Sequence, residues 1–295
     1  MEKKLQSFRK GDDLVLWGDA SLALAAVPDR SVQLIFADPP YNIGKKFANF
    51  VDKWPSEEEY ARWCEGWLSL CVQKLTPTGS MYVMCSTQCM PYLDLFLRKH
   101  LTVRSRIVWS YDSSGVQARS YYGSCYEPIL FCVKDRYTFN ADDILVEART
   151  GAVRKLIDYR KAEPAPYNNE KVPGNVWYVP RVRYRMPEYE EHPSQKPEAL
   201  LERIVKASSN TGDVVLDLFS GTFTTSAVAQ RLGRKTIGIE WEEAYVKIGL
   251  RRLGIQEELN GEPLKAPAKT YVRRNGPSRT HNDPTLFGRK AVTTS

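Results

Sequence analysis

Short apolar runs that stop at polar corners alternate with stretches of helical period along most of this chain. Leu14-Val15-Leu16-Trp17 ends at Gly18-Asp19, and the run from Ser31 to Ala37 ends at Asp38-Pro39-Pro40-Tyr41. Ser56 followed by Glu57-Glu58-Glu59 supplies a cap and an acidic first turn, which predicts a helix from Ser56 to about Leu75. Met81 to Cys85, Arg106 to Trp109 and Pro128 to Val133 read as three further strands. After a polar interval the alternation resumes. Leu200, Leu201, Ile204 and Val205 mark a helix from Pro197 to Ser209, and Val214-Val215-Leu216 a strand. A helix from Thr224 to Leu232, a strand from Thr236 to Ile239 and a helix from Glu242 to Leu253 complete the series. Near-continuous apolar strands separated by helices predict an α/β fold with a doubly wound, mostly parallel sheet.

The interval breaks the pattern in composition as well as in period. Residues 136–191 are polar and punctuated by Pro164, Pro166, Pro173, Pro180 and Pro187, with Tyr159, Tyr167, Trp177, Tyr178 and Tyr184 set among basic residues. The chain is expected to divide into 1–135, an inserted segment 136–191, a second part of the same domain at 192–255, and a basic, flexible tail at 256–295. At 295 residues there is ample chain for a core, and 42% hydrophobic with 26% charged residues excludes a largely disordered or fibrous protein. No apolar run reaches the roughly 18 residues of a membrane-spanning helix, and Met1 to Leu5 lacks the apolar centre of a signal peptide. The expected setting is therefore cytoplasmic, with no membrane partner. Cys64, Cys71, Cys85, Cys89, Cys125 and Cys132 lie singly in apolar surroundings, without metal-ligand spacing, so reduced core thiols and no metal are expected.

Charge adds a location. The net charge is +7, but nine basic residues between Arg149 and Arg185 face only three acids, so this stretch alone carries +6. The tail carries +3, which leaves the remainder at −2. A near-neutral body with one strongly basic, aromatic-rich segment suits a polyanion partner.

Two corners could carry chemistry. Asp217-Leu218-Phe219-Ser220-Gly221-Thr222-Phe223-Thr224-Thr225 follows a strand and opens a helix, where an open α/β sheet places a ligand. It lacks the three glycines of a dinucleotide loop and suits a nucleoside with a compact polar tail. Glu240 ends the next strand, twenty-three residues after Asp217, where an acid can accept bonds from ribose hydroxyls. At Asp38-Pro39-Pro40-Tyr41, two prolines force an extended, rigid turn and remove two backbone donors. A carboxylate and a backbone carbonyl are left as acceptors beside an aromatic ring, which fits an NH₂ group on a flat ring stacked against Tyr41.

With these motifs in this order, the chain resembles the permuted beta class of S-adenosylmethionine-dependent DNA amino-methyltransferases, and within it the stand-alone enterobacterial-type adenine enzymes. The resemblance spans about residues 12–253 and includes His192-Pro193-Ser194-Gln195-Lys196-Pro197, Ile237-Gly238-Ile239-Glu240 and Gly18-Asp19. It implies a circularly permuted, Rossmann-like methyltransferase fold in which residues 136–191 are the target-recognition region. It implies catalytic residues Asp38, Pro39, Pro40 and Tyr41, and S-adenosylmethionine held by Asp19, Lys196, Asp217, Phe219, Ser220, Gly221, Thr222, Thr224 and Glu240. The partner implied is double-stranded DNA, touched by Lys45, Arg119, Arg181, Arg183 and Arg185, the last three alternating as on one face of a strand. A homodimer, the absence of a cognate restriction enzyme, and a bacterial, nucleoid-associated location follow by the same resemblance. Phe223 is a departure, because the family has a second glycine there.

Amine methylation by direct attack needs no enzyme nucleophile, whereas methylation of cytosine C5 needs a cysteine thiolate in a Pro-Cys context that this chain lacks. Because the target is buried in a duplex, the base must be flipped into the pocket. Asp at position 38 favours adenine N6, with cytosine N4 as the alternative; an RNA substrate, or a DNA-binding regulator built on a relic cofactor fold, are the competing readings.

Overall fold

A computed structural model describes residues 5–47, 49–111, 119–148, 157–158, 162–166 and 170–264. Its strands are β1 (Gln6–Lys10), β2 (Asp13–Trp17), β3 (Val32–Ala37), β4 (Leu75–Met84), β5 (Thr102–Ser110), β6 (Tyr126–Val133), β7 (Val176–Tyr178), β8 (Val214–Asp217) and β9 (Lys235–Glu240). They form one sheet in the order β1-β2-β9-β8-β3-β4-β6-β5-β7. β2, β9, β8, β3 and β4 pair in parallel, and β7 pairs in parallel with β5. β1 runs antiparallel to β2, and β6 runs antiparallel to both β4 and β5.

Side-chain alternation along the strands divides the core between the two faces. Ile35, Ala37, Met81, Val83 and Leu216 face α1 (Ala20–Ala25), α2 (Glu57–Lys74) and α3 (Met90–Leu97). Leu34, Phe36, Tyr82 and Val215 face α4 (Glu198–Ser208) and α5 (Thr224–Arg231). α6 (Glu243–Arg252) covers Val15 and Trp17 at the β2 side. The predicted helices start where their caps indicate: Ser56 Oγ accepts from Glu59 N, and Pro197 precedes the first turn of α4.

From β3 the chain moves outward to β4, whereas from β8 it moves outward to β9 on the other side. The strand order therefore reverses between β3 and β8, and such a reversal opens a crevice beyond their carboxyl ends. Asp38 follows β3 directly and Phe219 follows β8, so both motifs border that crevice.

Residues 136–191 are tied into the body at both ends. Asn140 donates through its side chain to the carbonyls of Lys206 and Ser209 at the end of α4, and β7 is a strand of the main sheet. Between these ends, 146–147 pairs with 170–171 and 157–158 with 165–166. Arg149, Arg154, Lys155, Arg160 and Lys161, like Tyr159 and Tyr167, lie outside the described residues.

Three expectations change. Arg181, Arg183 and Arg185 do not share a strand face: residues 179–183 are irregular, and Arg185 takes a left-handed φ of 73° in a turn. Of the cysteines, Cys125 is exposed, because it precedes β6 at the rim of the sheet. The tail begins with structure, a hairpin pairing Glu258–Leu259 with Glu262–Pro263 that buries Leu259 against the α6 cluster. From residue 265 onward the expected flexible tail lies outside the described residues.

Candidate active site

The Asp38-Pro39-Pro40-Tyr41 turn is fixed from three directions. Tyr60, fully buried on α2, donates its hydroxyl to the Pro40 carbonyl at 2.7 Å. Asp52 accepts from the backbone N–H groups of Tyr41 and Lys45. Asn42, at a left-handed φ of 58°, accepts from Trp54 N. Among the described residues no donor reaches the Pro39 carbonyl, so it stands as a free acceptor beside Asp38.

The side chains of the turn meet a compact charge network. Tyr41 Oη lies 2.6 Å from Asp38 Oδ1 and 2.9 Å from Glu127 Oε2. Lys196 Nζ lies 2.6 Å from Asp38 Oδ2 and 3.4 Å from Glu127 Oε2. Arg181 approaches Glu127 Oε1 at 3.5 Å, donates to the Tyr111 hydroxyl at 2.7 Å and lies over the Tyr111 ring. Burial pushes the Asp38 carboxyl up, against the pull of Lys196, with Glu127 adding to the rise. Burial pushes Glu127 up too, but Lys196, the Tyr41 hydroxyl and Arg181 outweigh it and hold this carboxyl below its ordinary value. Lys196 is buried, yet the two carboxylates keep its ammonium above the usual lysine range. His192 is pushed down to about 3 by burial and by Lys196 and Lys45, so its imidazole stays neutral, with Nδ1 accepting from Ser194 N.

The second motif faces the first across the crevice. Asp217 accepts from Phe219 N and from the Thr225 hydroxyl, which fixes the turn out of β8. Glu240 accepts from the backbone N–H groups of Gly221, Trp241 and Glu242. Burial pushes Asp217 and Glu240 each up to about 7. Phe223 takes the left-handed conformation (φ 58°, ψ 33°) that the family's glycine would provide. Its ring turns away from the crevice and fills the space above two other glycines, Gly238 on β9 and Gly249 on α6.

A cavity of about 310 Å³ joins the two motifs, running past Asp38, Tyr41, Glu127, Phe219, Glu240 and Tyr245. A smaller cavity of about 30 Å³ behind it is bordered by Asp217, Ser220, Gly221, Thr222 and Thr224. Asp38, Lys196 and His192 border both. The predicted residues Pro39, Pro40, Lys45 and Arg181 also line the larger one. The predicted cofactor residues leave room for a nucleoside-type ligand: Phe219 and Glu240 line the larger cavity, and Gly221 leaves bare backbone where a Cβ would meet the His192 ring at 3.1 Å. Among the described residues no group of side chains is placed to hold a metal ion.

Asp19 lines neither cavity: its carboxylate caps α1 by accepting from Ser21 N and Leu22 N, although Gly18 N bonds the Glu240 carbonyl next door. Lys45 is not a free surface cation, since its ammonium donates to the Pro193 carbonyl. Arg119, Arg183 and Arg185 are exposed and line no described cavity. Glu127 and Tyr111, which the sequence reading missed, enter the site because β5 ends and β6 begins at the edge where β3 ends; the buried Trp109 ring lies behind them, 5.9 Å from Lys196 Nζ.

The DNA methylase family model matches residues 32–251. Over 264 residues, 89% of this chain and 88% of the relative, the sequence is 57% identical to the DNA adenine methyltransferase YhdJ of Escherichia coli (strain K12). Over 254 residues, 85% of this chain and 76% of the relative, it is 33% identical to the type II methyltransferase M.HpaI of Haemophilus parainfluenzae. Among solved structures, the cytosine-N4-specific PvuII DNA methyltransferase superposes with a TM-score of 0.64 at 17% identity, covering 85% of this chain and 90% of that one. The M1.HpyAVI complex with SAM superposes with a TM-score of 0.54 at 24% identity, covering 81% and 98%.

Proposed function

This chain belongs to the DNA methylase family, and we infer that it transfers the methyl group of S-adenosylmethionine to the exocyclic N6 amine of adenine in double-stranded DNA. The observation that carries the choice of base is the near-full-length identity to a DNA adenine methyltransferase. The cavity gives the chemistry its setting, since one continuous space touches both Asp38 and Glu240.

The amine of adenine is a poor nucleophile because its lone pair is conjugated into the ring. Asp38 and the free Pro39 carbonyl are the two acceptors that hold its hydrogens and favour the pyramidal, nucleophilic form. Tyr41 supplies a stacking surface for the flipped base, which offsets part of the few kcal/mol lost on unstacking. Pro40 and Tyr60 fix the turn, so the acceptors are in place before the base arrives. Lys196, Asp217, Phe219, Ser220, Gly221, Thr222, Thr224 and Glu240 form the cofactor side; Asp19, which caps α1 outside both cavities, is not placed among them. When bound there, S-adenosylmethionine supplies an electrophilic methyl group on its sulfonium. The neutral His192 beside Gly221 adds no positive charge next to a cationic ligand.

Residues 136–191 are the target-recognition segment of this reading, with Arg119, Arg183 and Arg185 on the DNA and Lys45 and Arg181 at the mouth of the base pocket. A homodimer, a cytoplasmic place on nucleoid DNA and the absence of a partner restriction enzyme belong to the same proposal and rest on the family resemblance alone. In the described residues no helix is long and apolar enough to cross a membrane.

Incubating the protein with methyl-labelled S-adenosylmethionine and unmethylated bacterial DNA, then analysing the nucleosides, should place the label in N6-methyldeoxyadenosine. Label in N4-methyldeoxycytidine instead would move the reading to the cytosine branch, and an unlabelled DNA fraction would remove it. Asp38→Ala should lower transfer by about 10²–10³-fold, the scale of an electrostatic site contact, with cofactor affinity kept within a few-fold.

A further inference from the structure

Both oxygens of Asp38 are engaged before any substrate is present. The Tyr41 hydroxyl occupies Oδ1 at 2.6 Å and the Lys196 ammonium occupies Oδ2 at 2.6 Å. A phenol has a single proton to donate, yet Tyr41 Oη has a second carboxylate oxygen at 2.9 Å, Glu127 Oε2. The same Glu127 oxygen is the second acidic neighbour of Lys196 at 3.4 Å, and its partner oxygen faces Arg181. Glu127 thus duplicates, within bonding reach, each contact that Asp38 makes to protein donors.

We propose that Glu127 is a positioning residue that takes the Tyr41 hydroxyl when the amine of the flipped adenine claims Asp38, so that the acceptor is released without leaving a buried donor unpaired. The exchange needs only rotation of the O–H about the Cζ–Oη bond, since both acceptors already lie within hydrogen-bond distance. No proton leaves Tyr41 and no bond is made or broken. Lys196 stays on Asp38 Oδ2, while Arg181 holds Glu127 in register for the hydroxyl. In a site without Glu127 the hydroxyl would have Asp38 as its only acidic acceptor among the described residues and would compete with the amine for Oδ1. Leaving a buried donor unsatisfied is costly, so the competition would favour the hydroxyl. This inference rests on the amine-methylation reading above.

The test uses the full-length enzyme, methyl-labelled S-adenosylmethionine and unmethylated bacterial DNA, with cofactor affinity measured separately by calorimetry. Glu127→Met fills the volume without an acceptor and should lower kcat about tenfold or more, with cofactor affinity within about twofold of wild type. Adding Tyr41→Phe removes the competing hydroxyl but keeps the stacking ring. The double variant should then be about fivefold faster than Glu127→Met alone. A residue that merely supported the fold would not be rescued by deleting a second hydroxyl. Glu127→Gln, which keeps an acceptor oxygen, should stay closer to wild type than the methionine variant, and Glu127→Leu repeats the loss in a second shape if that variant folds poorly. A double variant no faster than Glu127→Met, or a methionine variant within about threefold of wild type, overturns the proposal. Absence of transfer by the wild-type enzyme would instead overturn the amine-methylation reading, and this one with it.

Discussion

Replacing Phe223 by alanine and, separately, by glycine sets a packing contribution against a backbone one at a single site. The ring is fully buried, and a Cβ built on Gly238 or Gly249 would lie 2.5 Å or 2.4 Å from it, so the ring fills the space those two glycines leave. Losing a buried phenylalanine costs about 3–5 kcal/mol. The backbone argues the other way, because a residue with a Cβ at φ 58° and ψ 33° carries strain of about 1–2 kcal/mol. Alanine loses the ring and keeps the strain, so Phe223→Ala should be destabilised by about 3–5 kcal/mol, or roughly 6–10 °C for a domain of this size. Glycine loses the ring and relieves the strain, but it adds about 0.5–1 kcal/mol of chain entropy on folding. Phe223→Gly should therefore be the more stable of the two by about 0.5–1 kcal/mol. Urea and thermal unfolding of the ligand-free protein measure both. A third variant tests the geometry: Gly249→Ala clashes with the ring in the wild type, at about 1–3 kcal/mol, and should be close to neutral once Phe223 is alanine. Glycine no better than alanine would refute the strain, and a Gly249→Ala cost that persists without the ring would refute the packing.

Two further outcomes follow from the site. Asp217 is held up to about 7 in the fold by burial, so between the unfolded carboxyl range near pH 4 and pH 7 the folded state binds a proton that the unfolded state does not. The Asp217 contribution is thus most favourable at acid pH and is lost as pH rises through that window; relative to wild type, Asp217→Asn should gain up to about 1.4 kcal/mol per pH unit between pH 5 and 7 in unfolding experiments, then level off. A difference that is flat across that range would refute the assignment. Tyr60→Phe removes the 2.7 Å bond to the Pro40 carbonyl without touching any ligand. It should cost about 1–2 kcal/mol of stability and lower kcat several-fold while cofactor affinity is unchanged; a loss of cofactor affinity instead would show that the turn serves the other half of the site.

Much of this architecture could be read from apolar runs, because buried parallel strands and amphipathic helices impose their periods directly. The strand ends at Ala37, Asp217 and Glu240 were legible for that reason, and with them the two motifs. What could not be read was direction. Pro128 to Val133 has the composition of a buried strand whichever way it runs, and a parallel reading places its start at the edge opposite Asp38. The pairing of β6 against β4 and β5 reverses it and brings Glu127 to the site, although nothing local in Tyr126-Glu127-Pro128 specifies that pairing. The alternation of Arg181, Arg183 and Arg185 misled for a related reason. A period of two indicates a strand only where a neighbour exists to pair with, and the last strand at that edge stops at Tyr178. The hairpin at 258–263 and helix α3 were missed because each rests on a few tertiary contacts, such as Leu259 in the α6 cluster, and not on a sustained period.

The location of Arg181 changes what the basic segment can do. Its charge was legible as a surplus spread over the segment, which by itself implies only attraction to phosphates. Arg181 instead lies near the end of the segment at the wall of the larger cavity, over Tyr111 and against Glu127, next to the carboxylate pair that shares Lys196 and Tyr41. If the segment binds DNA as proposed, a shift that moved Arg181 would weaken its pull on Glu127, and with it the balance of donors between Glu127 and Asp38. Arg181 is half-exposed, so it can respond to the segment, whereas Lys196 is buried and holds the other end of the network fixed. One ion-pair network thus touches both the segment proposed to read DNA and the acceptor proposed to hold the amine.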